Sequence, residues 1–198
     1  MPIELNTEDI RKLHAEINQI LNQRFLITTL AITLFGVVGA WLVPKQAQPG
    51  SDVGAFVFLG SMLLLAILGL LFIFSHRHLR IVRTLSAYLI EKQQSGWEKD
   101  WQDYNLSYGK YGGYSRAHTT IFAFLGLLAL FYPIGMGIAL RQGLAPRRWL
   151  WLNVLSAVAY FGIILLFRVP RTLKSNETER SRWRTLLKDK SSGERPDL

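Results

Sequence analysis

The chain has 198 residues, 23 Lys and Arg against 14 Asp and Glu, a formal net charge of +9 and no cysteine. The absent cysteines exclude disulfides, thiolate metal sites and cysteine nucleophiles. Apolar residues make up 49% of the chain but are not interleaved with polar ones as in a soluble domain; the two kinds are segregated into blocks.

Residues 1–24 are mostly polar, and 7–24 read as an amphipathic helix. Thr7 caps it, Glu8 and Asp9 suit the positive end of the helix dipole, and Ile10, Leu13, Ile17, Ile20 and Leu21 share one face. Nothing at Arg24–Phe25 breaks that helix, which is expected to run into the first apolar stretch. Four stretches hold no Asp, Glu, Lys, Arg or His: Phe25–Val43, Val53–Ser75, Thr119–Leu140 and Trp149–Phe167, of 19, 23, 22 and 19 residues. At about 1.5 Å per residue each is long enough to cross a hydrocarbon layer roughly 30 Å thick. An amide in lipid has no water to bond, so such stretches are helices. The first follows acidic residues and no small-x-small site comes after it, so it reads as a retained span and not a cleaved signal. The expected fold class is all-α: a polytopic membrane protein with four transmembrane helices and cytoplasmic helical extensions.

The stretches pair into hairpins, 25–75 and 119–167, separated by the polar segment 76–118 and followed by a basic tail, 168–198. From His76 to Gln93 there is neither Gly nor Pro, and Leu79, Val82, Leu85 and Leu89 recur at helical spacing. That segment is expected to continue the second span and to pair, apolar face to apolar face, with residues 7–24. The pairing residues would be Ile10, Leu13 and Ile17 with Leu79, Val82 and Leu89. A stalk of only two helices leaves apolar surface uncovered, which invites further copies or a partner. In the tail, 177–190 reads as a short helix whose Trp183, Leu186 and Leu187 suit a membrane surface.

Charge sets the expected orientation. Lys and Arg number 3 before the first stretch, 7 between the second and third and 9 after the fourth, against 1 and 3 in the loops 44–52 and 141–148. By the positive-inside rule both termini and segment 76–118 are cytoplasmic, in a plasma (inner) membrane. The basic charge then serves orientation and attraction to anionic lipid head groups, not nucleic acid.

Trp97, Trp101, Tyr104, Tyr108 and Tyr111 step by four, three, four and three residues, an aromatic stripe on one helical face. Such rings favour the head-group layer, so an interfacial helix is the plainer reading; a groove for a cationic, nucleotide or lipid ligand is the functional one. Arg77, Arg80 and Arg83 follow the second span, either reaching toward lipid phosphates or holding a phosphate-bearing ligand. The four histidines specify no metal site, and no cofactor is implied. The absence of ionisable residues from the four stretches argues against coupled transport by a monomer. The most polar mid-span residues are Ser61, Asn153 and Ser156. Gly36-x-x-x-Ala40, Gly126 and Gly135/Gly137 sit at spacing suited to close helix packing, and Pro133 frees a backbone carbonyl in the third span. No nucleophile–base constellation or phosphate loop is visible, so catalysis is not expected.

Glu8-Asp-Ile-Arg-Lys-Leu-His-Ala-Glu-Ile-Asn before the first span, and Arg80-Ile-Val-Arg-Thr-Leu-Ser-Ala-Tyr-Leu-Ile-Glu91 running on to Gly96-Trp97-Glu98, resemble segments of bacterial multi-span integral membrane proteins of uncharacterised activity. The resemblance implies a bacterial origin and joint importance of the two stalk helices. Together these features suggest a non-enzymatic membrane component that forms homo-oligomers or scaffolds a membrane protein partner through its stalk. An oligomeric channel or membrane-perturbing effector gated from the cytoplasmic side is the alternative, and a lipid-binding or transport protein a weaker one.

Overall fold

The computed structural model describes residues 7–42, 53–92, 114–139, 147–168 and 171–192. Among the described residues the protein is all-helical: α1 Thr7–Leu42, α2 Val53–Glu91, α3 Tyr114–Ala139, α4 Arg147–Arg168 and α5 Arg171–Ser192. Helices α1 to α4 are each long and apolar enough to cross a membrane. Continuity expected at 24–25 and 75–76 is observed, for α1 and α2 run unbroken for 36 and 39 residues. At helical rise they are ~54 and ~58 Å long, nearly twice a hydrocarbon layer. Each therefore carries an apolar and a polar length. The tail helix is longer than its sequence pattern predicts, 22 residues.

The chain divides into two compact units. One, here the apolar unit, spans Phe25–Ser75 and Tyr114–Arg168; the other, the polar unit, comprises Met1–Arg24, His76–Gly113 and Val169–Leu198.

The apolar unit packs parts of α1 and α2 with α3 and α4 around Ala31, Leu64, Leu65, Leu68, Phe72, Phe122, Leu125, Ala129, Ala157, Tyr160 and Ile164. Large apolar side chains also cover its outside: Val37, Leu63, Leu155 and Leu166 are 60–69% exposed. A soluble protein rarely shows so continuous an apolar exterior; a lipid-facing one must. Against lipid tails the hydrophobic effect drives no helix association, so shape and hydrogen bonds have to hold the bundle. Gly126 shows how. A Cβ there would overlap the Tyr160 ring, and that ring is pinned by its hydroxyl, which donates to the Phe122 carbonyl at 2.6 Å. Gly60 faces Leu42 in the same way, though a leucine tip yields more easily than a tethered ring. The expected Gly36-x-x-x-Ala40 contact is not made. Both residues are exposed and nothing lies within 4 Å of a Cβ at Gly36 or Gly135. Spacing alone located small residues without telling which of them face a neighbour.

In the polar unit α1 buries Ile17, Ile20 and Arg24, and α2 buries Ala87, Leu89 and Ile90. Positions 17, 20 and 24 fall on one helical face. Helix α5 seats Trp183 on α2, so apolar surface that the sequence left uncovered is partly covered from within the chain.

Gly126→Ala is expected to lower the thermal midpoint of the detergent-solubilised protein, at a cost of about 1–3 kcal/mol from overpacking. Gly36→Ala, placed in open space inside a helix, should not destabilise and should gain up to about 1 kcal/mol.

Candidate functional site

Pro133 lies inside α3, and its missing amide leaves the carbonyl four residues earlier, that of Ala129, without a helical donor. Ser61 on α2 supplies one: its Oγ donates to the Ala129 carbonyl at 2.6 Å. The same hydroxyl lies 3.1 Å from Oδ1 of Asn153 on α4, whose Nδ2 donates to the Leu130 carbonyl at 3.2 Å. Ser61 and Asn153 are 1% and 0% exposed. Three helices are thus joined beside the proline. Tyr132 adds a fourth, donating to the Gly39 carbonyl of α1 at 2.5 Å. Ser156 donates to the Leu152 carbonyl of its own helix. Ser61, Asn153 and Tyr132 thus bond helix to helix, whereas Ser156 bonds within its own.

A second polar pair stands at the end of the apolar unit. Ser75 Oγ and His118 Nε2 are 2.7 Å apart, beside Phe72 and Phe122, with ring centroids 6.3 and 4.8 Å from that of His118. A hydroxyl against an imidazole is the first half of a nucleophile–base arrangement. Both residues are buried. Sequence reasoning missed this pair. Its one available signal was topological, since 75 and 118 end and precede apolar stretches that would meet the same side.

The polar unit is organised by a charged clamp. Glu91, at the last turn of α2, accepts Arg180 Nε on Oε1 at 2.7 Å. Arg184 approaches it as a fork, Nε to Oε2 at 2.7 Å and a terminal nitrogen to Oε1 at 3.1 Å. Bidentate, charge-assisted bonds of this kind fix orientation as well as distance. Trp183, between the two arginines in sequence, donates its indole N–H to the Thr84 carbonyl at 3.1 Å and packs on Tyr88 with centroids 4.7 Å apart. The tail was expected to rest Trp183 on a membrane surface; it docks on α2. Burial would push the Glu91 carboxyl up, but hydrogen bonds from Arg184 and Arg180, and their charges, hold it below the usual carboxylate range.

Of the other sequence candidates, Ile17 and Leu89 are buried, while Ile10, Leu13, Leu79 and Val82 are half-buried. Arg77 and Arg80 are exposed and Arg83 half-buried. Trp97, Trp101, Tyr104, Tyr108 and Tyr111 lie outside the described residues. Arg24 was not singled out by the sequence, yet it is only 2% exposed. Its signal was position: a charge directly before an apolar stretch, on the buried face of α1. Comparison with protein families, with curated proteins and with solved structures finds no match to this chain.

A carboxyl held low contributes stability above its unfolded value, and that contribution is lost as pH falls through the folded one. The clamp should therefore be intact at neutral pH and open well below pH 4.5, the ordinary value for Glu91. Glu91→Gln should open it at neutral pH, raising tryptic cleavage within 180–188 about five- to tenfold. An unchanged cleavage rate would remove the clamp from the account.

Proposed function

We propose that the protein is a non-enzymatic, four-span membrane protein whose polar unit acts as an assembly or scaffold, binding further copies of the chain or a membrane protein partner. Both termini and segment 76–118 lie on the cytoplasmic side of a bacterial plasma membrane. One observation carries the topology: Glu91 is bonded to Arg180 and Arg184, although α3 and α4 intervene in sequence. Two crossings return the chain to its starting side, whereas one would separate these charges by roughly 30 Å of hydrocarbon. The charge bias of the segments points to the same side.

The division of labour follows from where the polar atoms go. Inside the apolar unit the hydroxyl, amide and phenol groups of Ser61, Asn153, Tyr132 and Tyr160 donate to helix carbonyls, which suits an anchor better than a transport path. The polar unit has the surface for recognition. Ile81 on α2 and Leu186 on α5 are 47% and 43% exposed, each with basic residues near it in sequence; exposed apolar side chains among charges are what protein interfaces use. A channel draws less support, since its pore would need polar groups other than those already committed.

Native mass spectrometry of the full chain released from nanodiscs tests this reading. A defined homo-oligomer, or a defined complex with a co-purified membrane protein, is expected. Ile81→Asp, at an exposed position that leaves the fold intact, should shift at least half of it to monomer. A wild-type monomer without partner, or an assembly indifferent to Ile81→Asp, would contradict the scaffold.

A further inference from the structure

Helix α5 meets α2 with one face: Arg180, Trp183 and Leu187 are half-buried, while Thr178, Ser181 and Thr185 are exposed. At helical pitch Trp183, Leu186 and Leu187 fall in a sector ~100° wide, and Thr178, Ser181 and Thr185 lie across from it. Arg182 borders the sector on one side, Arg180 and Arg184 on the other. The α2 surface uses this sector only in part. Trp183 packs on Tyr88 and donates to the Thr84 carbonyl, but Leu186 is left 43% exposed. Arg182 pairs within its own helix, with Glu179 at 3.0 Å. Arg184, although forked onto Glu91, has a side chain 63% exposed.

An apolar sector holding a tryptophan, cations at both edges and hydroxyls behind is the pattern by which a helix lies in the surface of an anionic bilayer. Residues 180–190 hold five Lys and Arg against one acidic residue, Asp189. A cation near an anionic leaflet gains about as much as a partly exposed ion pair does, so neither seat dominates. Such a surface is within reach. Helix α5 begins at Arg171, three residues after α4 ends at Arg168, and three residues span at most about 11 Å. Arg180, Arg184 and Trp183 would be needed in both seats, so the two exclude each other.

We propose that α5 is a latch with two alternative seats, residues 84–91 of α2 and the adjoining surface of an anionic bilayer. Anionic head groups draw Arg180 and Arg184 from Glu91, Trp183 leaves Tyr88 for the interface, and Leu186 gains the apolar surroundings that α2 does not give it. Release uncovers Tyr88 and Glu91 on α2. The latch rests on the membrane-spanning reading and is independent of assembly.

Spin labels test it in the full chain, reconstituted in nanodiscs of phosphatidylcholine alone or mixed with phosphatidylglycerol. A pair at Arg80→Cys and Thr185→Cys, both exposed positions, reads the α2–α5 distance, with unlabelled chain added so that only pairs within one copy count. A single label at Leu186→Cys reads whether α5 meets water or lipid. Phosphatidylglycerol should raise the population with the longer distance at least about fivefold and move the Leu186 label from water into lipid. Arg182→Gln, which removes a cation from the bilayer seat but none from the α2 seat, should lower that release about fivefold and leave docking in phosphatidylcholine unchanged. Glu91→Gln should release α5 without anionic lipid, with helical content by circular dichroism unchanged. The same distance in both membranes, a Leu186 label that stays in water on release, or release indifferent to Arg182→Gln would overturn the latch. Release by soluble polyglutamate but not by phosphatidylglycerol would assign the basic face to an acidic protein segment and overturn the lipid. A chain that does not insert into bilayers would instead refute the membrane reading beneath it.

Discussion

Proline at position 133 deprives the Ala129 carbonyl of its helical donor in a place where no water replaces it. Left unpaired, such a group costs several times what an ordinary hydrogen bond contributes. The sequence answers with Ser61 on α2, 2.6 Å away, and with Asn153 on α4 bonded to the next carbonyl along. Much else in the apolar unit follows from that requirement. Helices α2, α3 and α4 meet where the three groups meet. Tyr160 can then lie against Gly126, a position where any side chain would intrude, and Tyr132 reaches the Gly39 carbonyl of α1. The interior packs large apolar side chains around a few small residues and hydrogen bonds, and the exterior too carries large apolar side chains.

The polar unit solves a different problem with different means. Its segments are far apart in sequence, and water competes for every charge, so a surface ion pair contributes little. Glu91 gains more than most because its side chain is only 9% exposed and receives two arginines, one of them as a fork. Trp183 supplies the apolar contact that charge alone lacks. The resulting arrangement ties the tail to α2 and, in a chain that crosses a bilayer, fixes the number of crossings between them as even. An apolar and a polar length are thereby separated along the same two long helices. The apolar lengths of α1 and α2 contribute to the core, while their polar lengths carry the exposed Ile81 and the basic residues Arg77, Arg80 and Arg83.

Much of this was legible from residue order, and the limits are instructive. Apolar stretch lengths specified four helices, since a charge-free run of some twenty residues has one stable form in lipid. The unbroken passages at 24–25 and 75–76 were legible because nothing there breaks a helix. Pro133, Ser61 and Asn153 were each visible as exceptions in apolar surroundings, but their meeting was not. Partners 68 and 92 residues apart leave no periodic trace. Gly36 and Gly126 looked alike because spacing does not reveal which face meets a neighbour. Trp183 was misread for a related reason: an amphipathic, basic helix has the same pattern whether it rests on lipid or on another helix. The deciding residue, Glu91, is 89 positions from Arg180. Neighbourhoods of that kind also hid the Ser75–His118 pair and the burial of Arg24.

The central claim is that four helices cross a membrane and leave the three polar segments together on one side. The natural chain has no cysteine, so single substitutions Glu8→Cys, Gln48→Cys, Gln94→Cys, Gly143→Cys and Lys188→Cys can be probed with a membrane-impermeant maleimide in intact and opened cells. The account predicts that positions 48 and 143 label in intact cells, and that 8, 94 and 188 label only after the membrane is opened. Labelling of 94 or 188 from the outside, or protection of 143, would contradict it.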